Sequence, residues 1–135
     1  MHKAENILRG IWFGFDTEKL YLMLRPGITV SPGKFLTLNF EIELLAPSKA
    51  ILQITKNAYK FEMDGRNIDD IEIGFESILE IAIPLRHFSL NKENHRLNLR
   101  VIVKSEDKIL ETWPPADSLN IAIPVEGSAE IPWII

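Results

Sequence analysis

Residues 7–25, ILRGIWFGFDTEKLYLMLR, constrain the fold more than any other stretch of this chain. Two apolar runs flank Asp16, Thr17, Glu18 and Lys19, a polar loop of hairpin length. Pairing outward from that loop sets Phe15 against Leu20, Phe13 against Leu22 and Ile11 against Leu24. Side chains alternate across a strand, so these six share one apolar face that has to be buried. The other face carries Gly14 opposite Tyr21, Trp12 opposite Met23 and Gly10 opposite Arg25. Two aromatics beside two glycines make either a second buried surface or a shallow platform for a ligand. An aromatic ring on such a face can lie over a cross-strand glycine and cover it.

The remaining chain continues in short strands separated by turn residues. Residues 35–45 alternate most strictly and predict one strand. Leu36, Leu38, Phe40, Ile42 and Leu44 would face the core, and Phe35, Thr37, Asn39, Glu41 and Glu43 the solvent. Further strands are predicted over 50–55, 59–63, 68–75, 78–85, 97–103, 109–113 and 119–123. Asp64-Gly65 is a favoured tight hairpin turn, and Pro84 stops its strand or places it on an edge. Residues 86–90 suit a short helical or irregular crossing. No segment sustains a helical stripe. Many short strands with Pro, Gly and Asn turns predict an all-β fold. The expected architecture is a two-sheet antiparallel β-sandwich, immunoglobulin-like or jelly-roll-like, formed as a single domain over residues 1–135.

Composition narrows the function classes. Hydrophobic residues make up 46% and charged residues 25%, enough to build a core without staples. The chain has no cysteine, which removes disulfides, thiol nucleophiles and thiolate metal sites and fits a reducing, cytoplasmic compartment. The net charge is -4 with no basic cluster, so the footprint for nucleic-acid binding is missing. No apolar run reaches the ~20 residues that span a bilayer, and Arg9 interrupts the early apolar residues where a signal peptide would need continuity. Neither a nucleic-acid nor a membrane partner is expected.

His2, His87 and His95 lack metal-ligand spacing, so no metal or cofactor is expected. The many acids fall on a wet strand face or in turns, where Asp is favoured for its backbone geometry. No catalytic triad stands out, and no catalytic residue is assigned. The aromatics carry more information. A sugar ring can stack its C–H face on an aromatic while polar groups bond its hydroxyl rim. Trp12 and Tyr21 are the candidate platform, with Arg25 or Asn39 for the rim. Trp113, Trp133 and Ile135 are candidates for packing against another domain.

Four stretches add a resemblance. Residues 1–26 (MHKAENILRGIWFGFDTEKLYLMLRP), 79–90 (LEIAIPLRHFSL), 99–124 (LRVIVKSEDKILETWPPADSLNIAIP) and 131–135 (IPWII) appear in that order. Together they resemble the C-terminal β-sandwich domain of large glycoside hydrolase family 57 proteins. That domain is similar to the DOMON-like and family 9 carbohydrate-binding sandwiches. The resemblance implies a C-terminal accessory domain of a larger protein, binding or positioning α-glucan-type carbohydrate. It also implies a preceding catalytic domain as partner, holding the catalytic groups. The alternative is a purely structural domain that packs on a catalytic barrel and binds no sugar.

Overall fold

The computed structural model describes residues 7–91 and 93–123. They form two antiparallel sheets packed face to face. The strands are β1 (Leu8–Phe15), β2 (Lys19–Pro26), β3 (Asn39–Ala46), β4 (Ala50–Ile54), β5 (Tyr59–Met63), β6 (Arg66–Asn67), β7 (Glu72–Phe75), β8 (Leu79–Pro84), β9 (Arg96–Ser105), β10 (Lys108–Trp113) and β11 (Leu119–Ala122). The smaller sheet has the order β1-β2-β8-β7. The larger runs β10-β9-β3-β4-β5-β6, with β11 beside β10 on the same edge of β9.

The β1–β2 hairpin forms with the register expected from its loop, from Phe15↔Leu20 through Ile11↔Leu24. Asp16 fixes the turn: its Oδ1 accepts from the Glu18 and Lys19 backbone N–H groups, both at 2.7 Å. Leu20, Leu22 and Leu24 are buried, and Ile11, Phe13 and Phe15 pack half-buried against the same core. The pairing slips by one residue at Arg9. This bulge turns Leu8 inward, where it is fully buried, although strict alternation from Ile11 would have pointed it out. Asp64 and Gly65 take positive φ values of 52° and 77° between β5 and β6, the conformation a tight hairpin turn requires.

One predicted strand divides in two. Residues 35–45 begin as a short helix, α1 (Pro32–Leu36), and β3 starts only at Asn39. Ser31 caps the helix through Oγ, which accepts from the Lys34 N–H at 3.2 Å, and Pro32 occupies the first turn. The helical turn reverses the parity, so Phe35 is buried and Leu36 is only half-buried. Phe35 joins Phe40 of β3 and Phe75 of β7 in an edge-to-face cluster, with ring centroids 5.4–5.6 Å apart. The cluster ties the helix and both sheets together. Pro84 ends β8, which lies inside its sheet between β2 and β7. A single 3-10 turn, Leu85–Phe88, follows it.

A carboxylate links the sheet edges on one side. The β9–β10 register slips at Leu110, turning Glu111 and Trp113 onto the core side. Glu111 then accepts from the Ile7 N–H at 2.6 Å and the Leu8 N–H at 2.9 Å, where β1 begins, and from the Trp113 indole N–H. β1 and β10 are edge strands of opposite sheets, so this side chain closes the sandwich along that flank.

Candidate functional site

The outer face of the smaller sheet carries a groove, and the strand registers fix its plan. Two rows of outward side chains cross the four strands. One reads Gly14, Tyr21, Ala82 and Glu72; the other reads Trp12, Met23, Glu80 and Gly74. Taken diagonally, Trp12 and Tyr21 form an aromatic ridge on β1 and β2. Glu80 and Glu72 form a parallel acidic ridge on β8 and β7. Met23 and Ala82 floor the space between, and Gly14 and Gly74 occupy opposite corners. The two ridges are two strand spacings apart, about 10 Å between backbones. The hollow has a volume of about 670 Å³.

Trp12 and Tyr21 are 42% and 41% exposed, so neither ring is spent on the core. Both glycines leave real gaps: a Cβ added at Gly14 or Gly74 would meet no atom within 4 Å. The expectation that an aromatic covers a cross-strand glycine takes a different form here. Trp12 leans over Gly10 of its own strand, where an added Cβ would stand 3.0 Å from Cη2 and 3.1 Å from Cζ3. Tyr21 leaves Gly14 uncovered.

Arg25 lies beside the groove rather than in it. Its Cζ sits 5.1 Å from the Trp12 ring centroid, a cation–π contact that buttresses the indole. The buried Arg25 Nε has no hydrogen-bond partner, consistent with a guanidinium held against an aromatic face. Asn39 lies on β3 of the other sheet and contributes nothing to this face.

The end of the groove nearest the hairpin loop is fixed by polar contacts. The Tyr21 hydroxyl donates to Asp16 Oδ2 at 2.8 Å. Backbone N–H groups of Glu18 and Lys19, with that hydroxyl, hold the Asp16 carboxyl below its ordinary pKa. The same hydrogen bond, with some desolvation and the nearby charge, raises the pKa of the Tyr21 phenol. Lys19 on β2 reaches across β8 to Glu72 on β7, 2.6 Å away, and this pairing raises the ammonium pKa. Ala82 is only 9% exposed on this outer face, where the Lys19–Glu72 bridge crosses β8.

His87 has no adjacent carboxylate in the sequence, but the fold supplies one. His87 Nε2 lies 2.7 Å from Asp70 Oδ1, and Arg86 pairs with the other carboxylate oxygen. Partial desolvation pushes the Asp70 pKa up, but the His87 hydrogen bond and the charges of His87 and Arg86 outweigh it and leave the pKa lowered. The cluster sits by the 3-10 turn, which the Leu85 N–H ties to the Glu18 carbonyl at 2.8 Å. Among the described residues, no three His, Asp or Glu side chains converge to hold a metal ion. Glu72 reads from sequence as an acid in or beside a turn and Glu80 carries no signal of its own; their alignment with Trp12 and Tyr21 needs the strand order.

Of the residues expected to pack on another domain, Trp113 lies against the domain's own core and donates to Glu111. Trp133 and Ile135 lie outside the described residues. The larger sheet's outer face is an ion-paired ladder: Arg100 with Glu43 at 2.8 Å, and Lys104 with Glu41 at 2.5 Å. No family model, curated protein or solved structure matches this chain.

Proposed function

We propose that this chain is a non-catalytic carbohydrate-binding domain, and that the outer groove of the smaller sheet seats an α-glucan-type sugar. The aromatic ridge carries the reading. Two exposed rings border an open hollow with an apolar floor, which offers C–H stacking to a pyranose. Arg25 and Asp16 brace those rings before any ligand arrives, which lowers the entropy lost on binding. The choice of α-glucan among sugars comes from the resemblance to glycoside hydrolase family 57 accessory domains, which also supplies the expected partner, a catalytic domain. A non-catalytic role fits the placement of the groove acids. Glu72 and Glu80 stand on the same ridge, whereas a glycosidase pair must flank the scissile bond.

Titration of the chain with maltoheptaose, followed by tryptophan fluorescence and amide NMR shifts, tests this. Binding should perturb β1, β2 and β8, and Trp12→Ala should abolish it. No response to millimolar oligosaccharide would refute the proposal.

The structural alternative has its own supporting observation. Edge strand β10 exposes Ile109 (56%) and Leu110 side by side, an apolar strip suited to packing against another domain. The two roles use different surfaces, the outer face of the smaller sheet and an edge of the larger one, and are compatible.

A further inference from the structure

We infer that Glu80 is the specificity-determining residue of the groove, the acceptor for a vicinal pair of sugar hydroxyls. The inference rests on the carbohydrate reading above and names what the aromatic ridge cannot supply, an acceptor for the hydroxyl rim. Among the described residues, Glu80 is the one strand acid without a partner. Glu41 pairs with Lys104, Glu43 with Arg100, Glu62 with Lys60 and Glu72 with Lys19, while Glu111 holds backbone N–H groups. The unpartnered carboxylate stands in the same transverse row as Trp12, with Met23 between them. A pyranose over Met23 would meet the indole on one side and Glu80 on the other. The next position in that row is Gly74, whose missing side chain leaves open space beside Glu80.

An ionised carboxylate has only acceptors, so it can take two O–H donors at once but offers none in return. Adjacent hydroxyls on one ring fit that requirement. In a 1,4-linked glucan the O2 and O3 hydroxyls of each unit remain free and adjacent. Glu72 does not offer the same capacity, because Lys19 already occupies it.

The test compares wild type, Glu80→Gln, Glu80→Ala and Trp12→Ala by NMR titration with maltoheptaose and, separately, with a fully deacetylated chitosan oligomer of similar length. Far-UV circular dichroism checks that each variant is folded. Glu80→Ala should weaken maltoheptaose binding about tenfold, the loss expected for hydrogen bonds to a charged group. Glu80→Gln keeps one acceptor and should fall between. Maltoheptaose binding that depends on Trp12 but is unchanged in both Glu80 variants overturns this inference and leaves the platform intact. Preference for the chitosan oligomer, erased by Glu80→Gln, also overturns it, because the carboxylate would then be reading an ammonium. Absence of binding by wild type removes the inference together with the platform.

Discussion

Replacing Glu111 with alanine should loosen the sandwich far more than an average substitution at a half-buried position. The carboxylate takes three donors: the N–H groups of Ile7 and Leu8 and the Trp113 indole N–H. Alanine leaves all three without their acceptor. A donor orphaned in the interior costs about 1–3 kcal/mol, and the low end applies here because the site is only part-buried and water can reach it. Three such losses amount to about 3 kcal/mol. Unfolding entropy near 2.1 cal/mol/K per residue gives about 0.28 kcal/mol/K for 135 residues. The expected fall in melting temperature is therefore about 10 °C. Glu111→Gln should lose about half of that, since the amide keeps one oxygen but turns an NH2 toward a donor. Scanning calorimetry reads the shift, and hydrogen exchange locates it, because the Ile7 and Leu8 amides should lose protection selectively. A fall below 2 °C with unchanged exchange at those amides would show that the carboxylate does not hold the flank.

Three further outcomes follow from local geometry. Gly10→Ala forces the Trp12 ring to move, so it should shift the tryptophan emission and cost about 1 kcal/mol, whereas Gly74→Ala should be neutral or stabilising by up to about 1 kcal/mol; denaturant melts and emission spectra of both variants check this. Gly65→Ala should cost about 1–2 kcal/mol by chemical denaturation, because φ is positive there and a Cβ is strained. Tyr21 should ionise above its ordinary pKa in an ultraviolet pH titration, and Asp16→Asn should bring it back down. A raised pKa favours the protonated form, so this hydrogen bond's contribution to stability is fully present below the unfolded phenol value near ~10 and fades as pH rises through the folded value.

The hairpin was legible because its information is local. Asp16 sets the turn, alternation sets the face, and each pair is fixed by counting outward. The helix at Pro32 was not, because Ser31-Pro32-Gly33 serves equally as a turn or as a cap with proline in the first helical turn. Phe35 and Leu38 also satisfy a three-residue helical spacing as well as apolar runs elsewhere satisfy strands. The bulges at Arg9 and Leu110 left no composition signal; each is defined by the partner strand it slips against. The groove was half legible. Trp12 and Tyr21 were visible as an aromatic pair on a non-core face, but their facing acids arrive from strands about 60 residues later. The His87–Asp70 pair was hidden for the same reason, with His87 on the 3-10 turn and Asp70 17 residues earlier in the connection between β6 and β7.

The smaller sheet divides its labour by odd and even positions. On β8, Ile81 and Ile83 look inward and secure the fold, while Glu80 and Ala82 look outward. On β2, Leu20, Leu22 and Leu24 do the first task, and Tyr21 and Met23 do the second. Substitutions at Glu80, Tyr21 and Met23 thus change the outer face without touching the inward set, whereas Ala82 is covered by the Lys19–Glu72 bridge. The shape of this outer face can be changed at alternate positions alone, with Gly14 and Gly74 as the vacant sites where new bulk would fit first.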